Sequence, residues 1–483
     1  MNVNRRDFIG GTLAALGFSA LPGGLIFAAP PGWKHGGKPN LVFGVISDTH
    51  LRTRHGASGK PGKNWPNRYL AAALRYFKSQ NVDAVVHCGD MAHRGQVEEM
   101  QFHANVWRKV FGKDAPVKLF VTGNHDREGA GYGGFVAGNY PDPVVRAKHV
   151  LATDMAGNWE RIWGEKYEPV WHKEVKGYHF FGRHWSVDYK ELANRINSSA
   201  ATCGLDKGAK PFFFLTHRRP LGALRKAVRS HRNAVAFFGH NHWSVANWNI
   251  PSIYYGTLPC IQCASCEPRG CTALVGDSYI CKTKIEGRDA ENIGKGRQGY
   301  VVRIYDDMMV IERREFSSGA ASLGADWVMP LGKRNPHPLS KGELKKVIGN
   351  PQFREGAKLE VENVANVEIL PNANIQSQLE TGNIGIGNTG NIVIKIPLAD
   401  GNPGSRVYAY EVVVAGDEGT PKLRKAVYAA GCNLGIGHEP NGGMTTLKIP
   451  ASELPPGESL TIAVRPLTSL GTSGKAIATK FKA

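Results

Sequence analysis

At 483 residues the chain is too long for one ordinary hydrophobic core, so two or three domains are expected. A hydrophobic content of 42% with 21% charged residues excludes a disordered chain. The 58 glycines and 28 prolines argue for many turns and a strand-rich architecture rather than a helical bundle. The net charge of +19 is uneven: from Glu362 onward ten Lys/Arg balance ten Asp/Glu, so the whole excess, 50 basic against 31 acidic, lies before it. A basic first part predicts anionic substrates or an anionic surface.

The chain begins with Asn4-Arg5-Arg6-Asp7-Phe8-Ile9-Gly10, followed by an apolar, Gly/Ala-rich stretch to Ala29. Residues 1–30 resemble a twin-arginine export signal, whose pattern is two arginines, any residue, then Phe and an apolar residue. A stretch of about twenty apolar residues can also anchor in a bilayer, but here glycines dilute it. Ala28 and Ala29 offer a cleavage site, although neither Ile26 nor Phe27 is the small residue such sites favour. The expectation is a periplasmic or cell-surface bacterial protein exported by the twin-arginine route, with no transmembrane segment after signal removal.

Residues 41–47 (LVFGVIS) form a continuous apolar run, as expected of a strand buried on both faces. A helix is expected around Asn67–Gln80, a strand at Asp83–Cys88, a helix at Val97–Phe111 and a strand at Val117–Thr122. Further apolar strands are expected at Tyr178–Val187, Pro211–Thr216, Ala234–Phe238, Ser252–Gly256, Gly299–Tyr305 and Met308–Phe316. Strands alternating with helices argue for an α/β layered domain over residues 38–320. Cys260, Cys263, Cys266, Cys271 and Cys281 crowd into what reads as an insertion at 259–297. Disulfides are the default there for an exported protein, with a structural metal or free thiols as alternatives. Cys88, inside an apolar strand, reads as a buried small hydrophobe.

Residues 321–361 read as a linker or packing arm, with a short helix at Lys341–Ile348. Beyond them the pattern changes. Ile392–Ile396, Val407–Val414, Thr445–Ile449, Ser459–Pro466 and Ala476–Phe481 are β-branched or aromatic runs separated by Gly/Pro/Asn turns. They predict a small all-β sandwich over 362–483. Its last two strands resemble those of a fibronectin type III domain.

Five apolar strands each run into a segment of metal-ligand residue types. Ile46-Ser47 leads to Asp48-Thr49-His50, and His87-Cys88 to Gly89-Asp90. Phe120-Val121-Thr122 leads to Gly123-Asn124-His125-Asp126, Phe214-Leu215-Thr216 to His217, and Phe237-Phe238 to Gly239-His240-Asn241-His242. Loops at strand ends are where α/β sheets place ligands. Singly, each residue has an ordinary structural explanation: Asp90 a helix cap, His217 a core histidine. The ordered set does not.

In order and spacing these motifs resemble the calcineurin-like metallophosphoesterase superfamily, with the match running from residue 41 to about 316. His50 in the first motif, and Met91-Ala92-His93 after Gly-Asp where a Tyr would stand, depart from the purple acid phosphatases. The resemblance implies a four-layer α/β/β/α sandwich of two mixed sheets. It implies that Asp48, His50 and His242 hold one metal, that Asn124, His217 and His240 hold the other, and that Asp90 bridges them. Two cations about 3.5–4 Å apart need an anionic ligand between them, which a carboxylate supplies. Imidazole mixed with carboxylate and amide oxygen suits Fe, Mn, Zn or Co better than Mg or Ca, so two divalent or trivalent transition-metal ions are the expected cofactors. His125 is implied as a catalytic group beside the metals, with Asp126 expected to hold its ring and favour its protonated form. The implied reaction is in-line attack of a metal-bound hydroxide on a phosphomonoester or phosphodiester.

Arg52, Arg54 and His55, then His93 and Arg94, then Arg218 and Arg219 follow the first, second and fourth motifs. Arg52, Arg94 and Arg218 are the candidates to grip a substrate phosphate, against ordinary surface charge. The Gly-rich stretch Gly129–Gly138 reads as a lid and lacks P-loop grammar. Trp243 offers a ring platform or a packing group. Two other functions fit less well: a nuclease, since nucleic acid would suit the basic charge but no aromatic-and-basic motif supports it, and a non-catalytic, metal-stabilised binding module. The sandwich is expected to meet an anionic surface or a glycan or lipid partner.

Overall fold

A computed structural model describes residues 35–52, 68–128, 142–205, 210–220, 233–246, 259–266, 293–331, 349–364, 390–401 and 406–482, with a few positions omitted, isolated positions between 224 and 231, and the two-residue strands at 27–28, 54–55, 61–62 and 285–286. Outside these lie the arginine pair, Gly129–Gly138, the strand expected at Ser252–Gly256, Cys271, Cys281 and the helix expected at Lys341–Ile348. The side chains of Arg54 and His55 lie outside as well.

Strand β1 (Leu41–Ile46) is buried on both faces because its apolar residues do not alternate with polar ones. Leu41, Phe43 and Val45 face one core, and Ile46 another. It is followed by α1 (Arg68–Ser79), β2 (Ala84–His87), α2 (Val97–Phe111) and β3 (Val117–Phe120). Parallel pairing of β1 with β2 and of β2 with β3 follows from the helical crossovers between them. On the other side β1 pairs antiparallel with β9 (Gln298–Ile304), then come β10 (Met308–Glu315), β11 (Trp327–Pro330) and the strand at 27–28.

A second mixed sheet holds β4 (Val170–Val175), β5 (Tyr178–Arg183), β6 (Phe212–Thr216), β7 (Ala234–Phe238) and β8 (Cys260–Gln262). Phe213 and Leu215 of β6, with Val235 and Phe237 of β7, face the first sheet; their neighbours Phe212, Phe214, Ala236 and Phe238 face outward. Between the sheets the Phe43 ring meets Phe180, Phe213 and Phe237 at centroid distances of 5.5, 5.2 and 5.8 Å. Helices α1, α2 and α4 (Met155–Trp163), the last preceded by α3 (Pro143–His149), cover the first sheet, and α5 (Tyr189–Cys203) covers the second. The result is a mixed α/β architecture of two facing mixed sheets with helices on their outer faces. No described helix is long and apolar enough to cross a membrane.

Two expectations change. Cys260–Gln262 is an edge strand parallel to β7, and Cys266 N donates to Ser47 O, so this part of the Cys-rich segment is built into the scaffold rather than inserted upon it. Residues 321–331 are not linker: Ala321–Ser322 and β11 both pair with β10, because Trp327 and Met329 alternate into the main core.

The strand-rich C-terminal region has a three-stranded sheet of β12 (Glu360–Val364), β13 (Asn391–Ile396) and β16 (Thr445–Pro450). A five-stranded sheet holds β14 (Ala409–Gly416), β15 (Pro421–Tyr428), β17 (Ser459–Leu467), β18 (Ile477–Lys482) and the short strand Ile285–Glu286. Ile392, Ile394 and Ile449 of the first share one core with Val412, Val414, Ile462 and Val464 of the second. Ile285–Glu286 pairs with Ala426–Val427, tying the segment after the cysteines to this region.

Candidate metal centre

The strands β1, β2, β3, β6 and β7 all end at one edge of the two facing sheets. Beyond each end the chain turns sharply. Asp48, His50, Asp90, His240 and His242 all have positive φ, between 41° and 74°, which L-residues adopt at a cost. Gly89 (φ 97°) leaves room that a side chain would fill: a Cβ there would lie 2.6 Å from His217 Nδ1. A Cβ on Gly123 would sit 2.1 Å from Asp90 Oδ1, so glycine is needed there for close approach.

These turns gather seven side chains into two sets. In the first, His242 Nε2 lies 3.1 Å from Asp48 Oδ1 and 3.0 Å from His50 Nε2, with His50 Nε2 3.8 Å from Asp48 Oδ1. In the second, His217 Nε2 lies 3.1 Å from Asp90 Oδ2, 3.0 Å from Asn124 Oδ1 and 3.2 Å from His240 Nδ1. His240 Nδ1 is 3.1 Å from Asn124 Oδ1. Asp90 Oδ2 joins the sets, since it is also 3.5 Å from His50 Nε2. Asp48, His50 and His242 form one group able to hold an ion, and Asp90, His217 and His240 another.

The charges at the site are unusual for a protein interior. Burial would raise the Asp48 carboxyl, yet the His242 and His50 rings hold it well below the usual range. Asp90, likewise fully buried, is held at about 2 by His217. Burial opposes a charge on His217, but Asp90 and Asp48 push that ring up to about 9. Burial and then His217 bring His240 down to about 4. Two buried carboxylates thus draw positive charge onto a buried ring. Metal ions would supply that charge directly, and the nitrogen and oxygen donors are those that transition metals prefer. His217 has the outer support of a ligand ring, its Nδ1–H donating to Cys88 O at 2.7 Å. The residues present fit a pair of ions.

Around this centre Asp126 takes a place the sequence reading did not give it. Its carboxylate does not meet the His125 ring. It accepts from the backbone N–H groups of Asp90 (3.0 Å), Ala92 (2.7 Å) and Gly123 (2.8 Å), lacing the second loop to the third. Burial and the Asp90 charge push it up to about 7, against the Ala92 and Gly123 amides. The His125 ring instead donates from Nδ1 to His93 O at 2.8 Å, stacks on His93 at 5.2 Å, and meets His50 edge-on at 4.5 Å. Burial lowers its pKa, so the protonated form is not the favoured one.

Arg52 is half-buried two residues past His50, and Arg94 is half-buried after His93. Arg218 is exposed immediately beyond His217, and its charge reaches His240. Trp243 is half-buried beside His242. Sequence reasoning passed over Trp185, which stacks on His240 at 6.2 Å and meets His217 edge-on at 5.7 Å. The signal available was its position just after β5, at the same edge as the other loops. Cys88 and Cys263 are thiols in the core beneath the loops, their sulfurs 3.7 Å apart.

Residues 41–244 match the family model described as calcineurin-like phosphoesterase. Among solved structures, the chain is similar to a dimetal phosphatase from Danio rerio, with 12% identity, 61% of this chain and 99% of that one covered, and a TM-score of 0.34. A predicted phosphoesterase from Streptococcus pneumoniae shares 13% identity over 60% of this chain and 97% of its own, with a TM-score of 0.26. A purple acid phosphatase from yellow lupin (Lupinus luteus) shares 14% identity over 62% of this chain and 55% of its own, with a TM-score of 0.37. No curated protein matches the chain significantly.

Proposed function

We propose that this chain, whose residues 41–244 form a calcineurin-like metallophosphoesterase domain, is a binuclear metal-dependent hydrolase of phosphomonoesters or phosphodiesters. The observation that carries this reading is Asp90 Oδ2 lying between two histidine-rich donor sets, 3.1 Å from one and 3.5 Å from the other. Asp48, His50 and His242 would hold one ion and Asn124, His217 and His240 the other. Bound there, the pair supplies Lewis acidity toward the phosphoryl oxygens and makes water acidic enough to act as a nucleophile near neutral pH.

The chain's own residues do the rest. With Nδ1–H committed to His93 O, His125 has only Nε2 left to carry a proton to the departing oxygen. Burial lowers its pKa, so Nε2 would first take up the proton that it passes on. Arg52, Arg94 and Arg218 follow three of the donor-bearing loops and would bind a phosphate oxygen or a second anionic group of the substrate. Trp185 walls the His217–His240 side and narrows access for water. The opening arginine pair supports export by the twin-arginine route, which would place the reaction in the periplasm or at the cell surface.

The test is metal analysis of the purified full-length chain together with turnover on matched mono- and diester substrates. Two transition-metal equivalents in the centre and hydrolysis of either class support the reading. Two equivalents with no turnover across the panel would favour a metal-stabilised binding module. Preferential hydrolysis of polynucleotide, steeply weakened by salt, would favour a nuclease.

A further inference from the structure

A second set of metal-type donors lies at the other end of the second sheet. The β4–β5 hairpin pairs His172 with Phe181 and Glu174 with His179, so all four side chains share one face. That face is covered by α5, whose last residue is Cys203. The His172 ring lies flat on Phe181, 4.4 Å away at an interplanar angle of 6°, which fixes its plane. Its Nε2 is 3.1 Å from His179 Nδ1. The Cys203 side chain is a thiol, and its sulfur and the two ring nitrogens all lie within 4.8 Å of one another. A Glu174 carboxylate oxygen is 4.0 Å from His179 Nδ1.

We propose that His172, His179 and Cys203, with Glu174 or water as the fourth ligand, form a separate site for one divalent transition ion of the zinc type. Two imidazoles and a thiolate are borderline-to-soft donors that select such an ion over Mg or Ca. Metal–nitrogen bonds of about 2.0–2.1 Å and a metal–sulfur bond of about 2.3 Å put tetrahedral ligand atoms about 3.3–3.6 Å apart. The observed spacing reaches that range by small side-chain rotations. The ligands come from three elements, β4, β5 and the end of α5. An ion there would clip the helix terminus onto an edge hairpin, as closed structural sites do.

This site is distinct from the centre described above. His179 is the second residue of β5, and four residues further on Arg183 ends it, with Trp185 then reaching His240. At roughly 3.3 Å per residue that is about 13 Å along the strand. The binuclear donor set contains no cysteine, and a sulfur signal lost specifically in Cys203→Ser reports on the second site rather than on the other cysteines.

The experiment loads the full-length chain with zinc, and in parallel with cobalt, in wild type and in Cys203→Ser and His179→Gln. Expected are one equivalent more of metal in wild type than in either variant, and a thiolate-to-cobalt charge-transfer band in wild type that both variants lose. Zinc should raise the Tm of wild type more than that of Cys203→Ser, while phosphoester turnover stays unchanged. Equal metal content in wild type and variants, or a sulfur-to-cobalt band absent from wild type or surviving in Cys203→Ser, would overturn the proposal. Because the readout is a difference of one equivalent, it stands or falls apart from the binuclear reading.

Discussion

Gln298 Nε2 donates to the backbone carbonyl of Asn433 at 2.6 Å, and the same amide's Oε1 accepts from Val245 N at 2.7 Å and from Ser244 Oγ at 3.1 Å. One fully buried side chain therefore joins the loop that carries His240 and His242 to a turn of the C-terminal region. Asn433 N donates in turn to Ile293 O, and Ile436 N to Ser322 O. The strand-rich region is thus fastened to the back of the His240–His242 loop rather than hung from a linker.

Replacing Gln298 should expose this coupling. Gln298→Ala leaves the buried Val245 N–H and Asn433 carbonyl without this partner and the Ser244 hydroxyl proton without its acceptor, at a cost of roughly 2–4 kcal/mol. Urea denaturation should show that loss, and chelator challenge should show faster metal release than in wild type, because the His242 loop has lost its rear support. A loss of stability with metal retention unchanged would mean that the loop is held by other contacts.

Asp126 offers a sharper separation of support from chemistry. Asp126→Ala removes the acceptor for three amides, Asp90 N, Ala92 N and Gly123 N. The expected result is a fall in stability of roughly 3 kcal/mol together with weakened metal binding. Asp126→Asn keeps one acceptor oxygen and should recover part of both. If Asp126→Ala bound metal as tightly as wild type, the lacing of the loops would not matter to the centre.

His125→Ala should keep both ions, since no member of either donor set is removed. Turnover of an alkyl phosphoester should fall by roughly 10²–10⁴-fold. An activated aryl ester, whose leaving group needs little protonation, should be affected far less. Equal losses on the two esters would point to a role for His125 in binding rather than in leaving-group chemistry.

The acid limb of stability should be set partly by buried neutral histidines. His103 is fully buried among His87, Phe120 and Trp163, and neither ring nitrogen has a hydrogen-bond partner. Burial holds its pKa well below the ordinary value, and burial likewise lowers His87 and His184 to about 3. A histidine depressed in the folded state binds its proton more readily when unfolded. Its contribution is therefore present above the ordinary histidine pKa of about 6.5 and is lost as pH falls below that value toward the folded pKa. His103→Phe should raise Tm at pH 7, and the gap over wild type should widen between pH 6.5 and 4. A gap that stays constant over that range would show that His103 does not titrate on unfolding.

Much of this was legible in the sequence where the physics is local. LVFGVI, FFFLT and AVAFF lie between apolar layers, so their lack of polar alternation marked them as interior strands. The donor residues just past them followed from the strand ends. Strands at or near a sheet edge were harder to see. VWHKEV and PKLRKAVY carry Lys, Glu and Arg because one side or end meets water, and their pairing comes from tertiary partners. The direction of Asp126 was unreadable for a related reason. Three backbone amides from two loops converge on it, and amides leave no trace in side-chain sequence. Cys260–Gln262 is strand only because β7 offers it an open edge.

Five of the ten described non-glycine residues with positive φ are Asp48, His50, Asp90, His240 and His242. Each occupies backbone space that costs most L-residues about 1–2 kcal/mol and that glycine enters almost freely. A chain drifting without a chemical task would gain stability by letting glycine or asparagine settle at these turns. Holding aspartate and histidine there instead is a standing thermodynamic sacrifice, concentrated on one edge of two sheets. If the proposed metal role holds, the most stabilising single substitutions at these turns are also the most disabling.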